Sequence, residues 1–376
     1  MAGIYIHIPY CRKKCFYCDF YSITNFENKN NLITALSKEI VLRKDYLNNE
    51  IIETIYFGGG TPSILNNIEI NNLYNIIVNN FSLSKNLEFT FEANPDDLTI
   101  EYLKLLKTTK INRLSIGIQS LFDDDLILMN RRHTAIQAID AIKNAKDIGF
   151  NNISVDLIYG LPKMTQERWI QNLDKVFELY IQHISAYHLT YEKGTKFYNL
   201  LKNNKLKSVS ELESINEYKL LLEKAKNNNF IQYEISNFCK ENYYSKHNSN
   251  YWNNKKYLGI GPSAHSYNLC SRQWNISDIN KYIYKIGQQE QFYDIEILSD
   301  NDKYNDYIIT KLRTMWGVNI ESLTTLFDKK YVEHFLSKTK KFIASKHIIS
   351  HFPIIKLSNN GILISDKIIE ELLFID

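Results

Sequence analysis

Proline is scarce in this sequence, with six in 376 residues, and glycine is held to thirteen. Cysteine appears only five times, too few for a disulfide framework and in keeping with a reducing compartment. No apolar run approaches the roughly 20 residues that a membrane-spanning helix needs. The net charge is +3, too small an excess to recommend a nucleic acid or an anionic surface as partner. The first strand-like run begins within five residues of Met1, so no secretory leader is expected and residence in the cytoplasm is. What remains is ordinary for a globular chain, 44% hydrophobic and 23% charged, with length for one large domain and a small one. Scarcity makes position informative. Pro9, Pro62, Pro95, Pro162 and Pro262 each follow an apolar segment. Proline cannot donate to a sheet ladder, so these mark strand ends and the rim where chemistry is expected.

Strand-like runs alternate with amphipathic helical stretches. Strands are expected at Ile4–Ile8, Thr54–Phe57, Glu88–Glu92, Arg113–Gly117, Ile153–Tyr159 and His183–Leu189. Helices are expected near residues 28–48, 66–81, 100–108, 123–129, 135–148 and 166–180. Six strand-then-helix units argue for a parallel sheet with helices outside, an α/β fold read as a partial (β/α)6 barrel. An open doubly wound sheet is the alternative. The domain expectation is a barrel over residues 1–240, a connecting region over 241–294 and a small C-terminal α+β module over 295–376. That module reads as three helices and a hairpin turning at Asn360-Gly361, similar to a winged helix. Glu321, Asp328 and Glu333 dilute its basic residues, which favours structural or partner-docking use over DNA. No nucleic-acid partner is expected.

The stretch that organises the chain is Tyr5-Ile-His-Ile-Pro-Tyr-Cys11-Arg-Lys-Lys-Cys15-Phe-Tyr-Cys18-Asp-Phe20. A short strand ends at Pro9 and opens into a loop that can turn three thiolates toward one centre. Iron–sulfur clusters usually take four thiolates, so three would leave one iron of a cubane open. A structural zinc site wants four closed ligands, and no fourth Cys or His is well placed nearby. A disulfide pair with a spare thiol is the bland alternative.

The Cys-x3-Cys-x2-Cys spacing, with aromatic Tyr17 before the third cysteine, resembles the signature of the radical S-adenosylmethionine (radical SAM) superfamily. That resemblance implies a [4Fe–4S] cluster on Cys11, Cys15 and Cys18, and S-adenosylmethionine chelating the open iron. The phrases Phe-Gly-Gly-Gly-Thr-Pro, Arg-Leu-Ser-Ile-Gly-Ile-Gln-Ser and Asp-Leu-Ile-Tyr-Gly-Leu-Pro narrow it to the branch of the oxygen-independent coproporphyrinogen III oxidases and their relatives. On this branch Tyr5, Tyr17, Gly59, Gly60, Thr61, Glu92, Gln119, Arg131 and Asp156 are the implied cofactor contacts. Their chemistry suits the task. Glycine lets backbone approach a ligand, carboxylates and an amide can meet ribose or ammonium, and a guanidinium pairs with a carboxylate. Asp156 interrupts an otherwise apolar strand, where an unpartnered carboxylate is expensive. An internal salt-bridge network is the competing reading.

Two functions divide the branch. The oxidase carries a further cysteine two residues after the third and an N-terminal extension; here the position is Phe20, and four residues precede Tyr5. Both departures resemble instead the sister family of HemW-type haem chaperones, marked by His-Asn-x-x-Tyr-Trp, present as His247-Asn248-Ser249-Asn250-Tyr251-Trp252. The resemblance implies haem binding and delivery to an acceptor protein such as a membrane-bound respiratory enzyme, with membrane contact and homodimer formation as further expectations. The alternative function is oxidative decarboxylation of coproporphyrinogen III. His247 is the candidate haem ligand, with a structural or capping role open beside it, and His265 is a second candidate. His7 is expected to be packed and hydrogen-bonded, and Cys239 and Cys270 to be buried thiols.

Overall fold

The computed structural model describes residues 1–375. Six strands, β1 (Ala2–Ile8), β2 (Ile52–Gly59), β3 (Leu83–Ala93), β4 (Arg113–Gln119), β5 (Ile153–Tyr159) and β6 (His183–His188), lie in chain order, and every neighbouring pair is parallel. Between them run α1 (Lys29–Leu42), α2 (Asn67–Asn80), α3 (Ile100–Lys107), α4 (Asp123–Leu128), α5 (Ala135–Asp147) and α6 (Gln166–Glu178). The strand order never reverses, so the expected partial barrel is present and the doubly wound alternative, which needs a switch point, is not.

Period-2 alternation divides each strand. Ile4, Ile6, Ile8, Ile55, Phe57, Phe89, Phe91, Leu114, Ile116, Val155 and Leu157 are buried in one core with Leu32, Leu36, Ile70, Leu73, Leu103, Ile142 and Leu173 of the helices. Each such side chain contributes about 1.5–3 kcal/mol by leaving water. The alternate positions, among them Tyr56, Glu92, Arg113, Ser115, Asp156 and Ser185, face a cavity inside the barrel. That interior is polar, which a purely structural barrel would fill with hydrocarbon.

The sheet extends beyond the six strands. After α7 (Lys196–Lys202) and α8 (Glu211–Asn227), β7 (Ile231–Gln232) and β8 (Asn237–Cys239) continue it past β6. Helix α9 (Lys246–Trp252) then leads to β9 (Tyr257–Ile260), which pairs in parallel with the other edge at β1. Strands β10 (His265–Tyr267), β11 (Ser271–Asn275) and, after α10 (Ile279–Gln288), β12 (Tyr293–Ile297) complete that side in antiparallel fashion.

A second apolar cluster, including Tyr304, Ile308, Leu323, Phe335 and Ile368, is built by α11 (Asp300–Leu312), β13 (Val318–Asn319), α12 (Ile320–Leu326), α13 (Lys329–Ala344), β14 (Ile348–His351), β15 (Ile354–Leu357), α14 (Asn359–Ile362) and α15 (Ser365–Leu372). The hairpin is β14–β15, turning at Phe352-Pro353, and the Asn360-Gly361 pair is helical instead. Ser358 caps α14 by accepting from Gly361 N at 3.1 Å, and a Cβ at Gly361 would lie 2.0 Å from the His347 carbonyl oxygen. Close backbone approach, not a turn, is what requires this glycine. Helix α1 stops earlier than expected, and Asn48 and Asn49 follow with φ of 51° and 58°. Cys239 is buried as expected, but Cys270 is exposed in the turn before β11. Among the described residues no helix is long and apolar enough to cross a membrane.

Helix α2 carries a full capping box: Asn66 Oδ1 accepts from Glu69 N at 2.9 Å, and Glu69 Oε2 accepts from Asn66 N at 2.8 Å. Asn66→Ala removes one half of it, and equilibrium denaturation is expected to read a loss of about 1 kcal/mol.

Candidate functional site

A cavity of about 610 Å³ opens at the carboxyl ends of the barrel strands. All the sequence-predicted site residues line it except Tyr5, His247 and His265: Cys11, Cys15, Tyr17, Cys18, Gly59, Gly60, Thr61, Glu92, Gln119, Arg131 and Asp156 are brought together.

The cysteine loop is tied down by its backbone. Cys11 N donates to Ile23 O at 2.9 Å and Ile23 N to Pro9 O at 2.7 Å. Polar side chains reach the sulfurs: Thr61 Oγ1 donates to Cys11 Sγ at 3.4 Å and Arg131 Nη1 to Cys15 Sγ at 3.4 Å. Burial pushes the Cys11 thiol up despite Thr61, and the Cys18 thiol up to about 11. A bound cation reverses that preference, because a coordinating thiol is deprotonated outright. Among the described residues no three His, Cys, Asp or Glu side chains are gathered to hold a single ion. A [4Fe–4S] cluster has a different requirement, one ligand on each iron, so separated sulfurs facing a shared cavity fit it better than a mononuclear metal.

Asn94 links the loop to Arg131. Its Nδ2 donates to Thr61 Oγ1 at 3.2 Å, and its Oδ1 accepts from Arg131 Nη2 at 2.7 Å. Arg131 Nη2 also donates to Gly117 O at 2.5 Å. Burial works against the Arg131 charge, but Tyr17 and Cys15 outweigh it and keep the guanidinium firmly protonated.

At the end of β2, Gly59 takes φ 109°, and a Cβ there would lie 2.6 Å from the His7 ring. Its N–H donates to Glu92 Oε2 at 3.2 Å, and Tyr56 OH donates to Glu92 Oε1 at 2.6 Å. Burial is the largest influence on Glu92 and raises its carboxyl to about 7 against those donors. Asp156 is likewise raised by burial, and Ser115 Oγ lies 3.3 Å from its Oδ1. No salt bridge joins Glu92, Asp156 and Arg131 among the described residues. The internal ion-pair network is therefore absent, and these groups face open space. Gln119 adopts a left-handed φ of 65° at the end of β4, rare for a residue with a side chain, and its amide borders the cavity.

Tyr5 lies on the next strand over with its hydroxyl 3.1 Å from His7 Nδ1. His7 is packed as expected, with Nε2 2.9 Å from Tyr21 O, and burial lowers it to about 4. His265 sits exposed on β10 opposite Trp274, away from the cavity.

His247 is placed differently from a ligand awaiting iron. Its ring is buried below the cavity, with Nδ1 2.8 Å from Thr54 Oγ1 and Nε2 2.9 Å from Tyr251 OH. Burial, then Arg113, lowers it to about 3. Glu88 anchors the same helix start, accepting from Lys246 N and His247 N at 3.1 Å each. Asn248, one residue on, lines the cavity instead. The hexapeptide thus closes the barrel from below, and its histidine is the part hidden in the floor.

Arg113, Tyr56, Asn94, Ser115, Ser185 and Tyr187 also line the cavity and were not singled out from sequence. Alternation along β2 to β6 was the available signal, since each lies at an inward position or at a strand end.

The match to the family model for the radical SAM superfamily covers residues 5–176. Over 372 residues the chain is 31% identical to heme chaperone HemW of Lactococcus lactis subsp. lactis (strain IL1403), covering 99% of this chain and 97% of that protein. It is 32% identical over 372 residues to heme chaperone HemW of Bacillus subtilis (strain 168), covering 98% of each. Among solved structures, coproporphyrinogen III oxidase (HemN) from Escherichia coli superposes with a TM-score of 0.85 at 21% identity, over 99% of this chain and 90% of that one; this establishes a common fold. Full-length relatedness at that level, on a barrel that carries the three-cysteine loop, makes this chain a member of the HemW family within the radical SAM superfamily.

Proposed function

We propose that this chain binds haem and passes it to an acceptor protein, and that it carries a [4Fe–4S] cluster and S-adenosylmethionine in the barrel cavity. The observation that carries the reading is end-to-end similarity to two proteins named as heme chaperones. Phe20 supports it: this side chain lines the cavity and is 65% exposed, where the oxidase would present another thiol.

In this reading Cys11, Cys15 and Cys18 each hold one iron. When bound, the cluster supplies an electron and an open coordination site to the cofactor. The protein's own part is to hold and to shield. Glu92 and the Gly59–Thr61 turn address the ammonium and ribose, Gln119 and Asp156 the sugar hydroxyls, and Arg131 the carboxylate, with Tyr17 covering that end and Tyr5 steadying the turn through His7. For haem as cargo Phe20 offers an exposed aromatic ring at the cavity, whose lining also includes the buried Ile158, Tyr159 and Leu189. The C-terminal unit, residues 295–376, is assigned to partner docking; a membrane-bound respiratory enzyme as acceptor, a homodimer and cytoplasmic residence extend the same reading.

The test is an anaerobic haem titration of the reconstituted protein, followed by optical spectra, with coproporphyrinogen III assayed beside it. One haem per chain and no protoporphyrinogen IX is the expected result. Turnover of coproporphyrinogen III would make the chain an oxidase, and absence of haem binding would end the carrier reading.

A further inference from the structure

Arg113 opens β4 with its side chain in the barrel, where it is 1% exposed and lines the cavity. Its guanidinium has no hydrogen-bond or ion-pair partner among the described residues, and Nε is sealed from water without an acceptor. A guanidinium cannot shed its proton, so this charge stays in place and must be balanced by what surrounds it. Two carboxylates stand near it in the same cavity. Glu92 lies on β3 two residues along from Thr90, the residue paired with Arg113, and Asp156 lies on β5 beside Gly117. Both feel Arg113, which favours their charged forms against the burial that opposes them.

We propose that Arg113 is a positioning residue of the cofactor site, a buried counter-cation that favours the charged forms of Glu92 and Asp156 toward the cationic and hydroxyl groups of the nucleoside. The inference rests on the reading that these carboxylates meet S-adenosylmethionine. Nearer hydrogen-bond donors do not replace this function. Tyr56 and Gly59 orient Glu92, and Ser115 orients Asp156, but none of them carries a charge. Arg131, the other cavity guanidinium, donates to Cys15, Asn94 and Gly117 and, in the proposed reading, serves the cofactor carboxylate. The remaining titratable groups around Glu92 are Tyr5 on β1, Tyr56 on β2, Asp156 on β5, Tyr187 on β6 and Tyr251 on α9. Those around Asp156 are Arg131, Tyr56, Glu92 and Tyr187, and Arg113 itself also faces His183 on β6, Tyr233 between β7 and β8, Cys239 on β8 and His247 on α9, where burial is the larger influence on each. Every neutral member of that set would be costly to ionise, and Lys13 and Lys14 at the cavity are exposed, which leaves Arg113 as the buried cation that both carboxylates share.

The sign follows directly. Removing the cation raises both carboxyl groups, so they protonate at a higher pH, and affinity for the cofactor falls near neutrality and returns as pH rises. The experiment is calorimetric titration of anaerobically reconstituted wild-type, Arg113→Gln and Arg113→Lys proteins with S-adenosylmethionine from pH 6 to pH 9. Comparing variants with wild type at each pH cancels the ligand's own titration. Arg113→Gln is expected to bind about tenfold more weakly than wild type at the neutral end for each pKa unit gained, and to converge with it at the alkaline end. Arg113→Lys, which keeps the charge and the fold where glutamine is not tolerated, is expected to recover most of the lost affinity at neutral pH. An unmoved pH profile in Arg113→Gln, or an equal loss at every pH in both variants, would overturn the proposal. No cofactor binding by the wild-type protein would instead remove the reading beneath it, a result visible before any variant is made.

Discussion

Replacing Cys11, Cys15 and Cys18 together by alanine is expected to abolish the broad ~400 nm absorbance that anaerobic reconstitution with iron and sulfide otherwise produces. The fold should survive the change, because the loop is held by its backbone and by neighbouring rings, not by its thiols. Phe16 N donates to Met129 O at 3.1 Å, Phe197 N donates to Phe16 O at 2.9 Å, and Tyr10 stacks on Phe26 with ring centroids 5.1 Å apart. Thr61 Oγ1 and Arg131 Nη1 donate to Cys11 Sγ and Cys15 Sγ, but sulfur is a weak acceptor and these contacts add little to the backbone anchors. Circular dichroism should therefore be unchanged while bound iron and sulfide fall to background. Undiminished absorbance would place the cluster elsewhere, and the two remaining cysteines, buried Cys239 and exposed Cys270, belong to different parts of the sheet.

The second large effect falls on stability. His247→Ala deletes a fully engaged ring, leaves Tyr251 OH and Thr54 Oγ1 without it, and removes a face that lies 4.9 Å from the Tyr56 ring centroid. Stranded hydroxyls and the hole above Gly3 together should cost about 3 kcal/mol or more. Thermal unfolding is expected to move down by roughly 4 °C for a chain of this size. His247→Asn, which keeps a polar side chain in the floor, should lose less. A haem titration at a temperature where the alanine variant is folded separates the two roles of this residue. An unchanged Soret band leaves His247 as a floor residue, whereas a shifted or weakened band means that α9 withdraws to present the ring. An unaltered melting temperature would contradict the floor assignment itself.

These two residues sets also show how far sequence reasoning reaches here. Buried parallel strands must be apolar runs, and their helices must be amphipathic, so Ile153–Tyr159 was legible to the residue and β1, β4 and β6 to within two, whereas β2 runs beyond the expected Thr54–Phe57 at both ends and β3 begins well before the expected Glu88–Glu92. The three cysteines stood out by a spacing that resembles the radical SAM signature, and the fold brings all three to the cavity. Asp156 and Glu92 stood out as carboxylates inside apolar strands. Arg113 did not, since an arginine at the start of a strand is common, and only the register that sets it beside Thr90 and faces it inward reveals a buried cation. His247 was legible as a motif but not as a place, because burial depends on α9 meeting β2, nearly two hundred residues earlier in the chain. The short strands β7 to β13 run for two to five residues, too few for any period to emerge, so the extended sheet could not be read in advance.

Helix α9 ends against the C-terminal unit. Met315 N donates to Tyr233 O at 3.0 Å, Thr310 Oγ1 to Asn254 Oδ1 at 3.3 Å, and Lys311 Nζ to Asn253 Oδ1 at 3.0 Å. One short helix is therefore clasped at its start by Glu88 inside the barrel and followed at once by residues gripped by α11. Such a helix is a lever with both ends loaded. Any shift of α11 is therefore carried to the residues that follow this helix, and through them to the floor of the cavity.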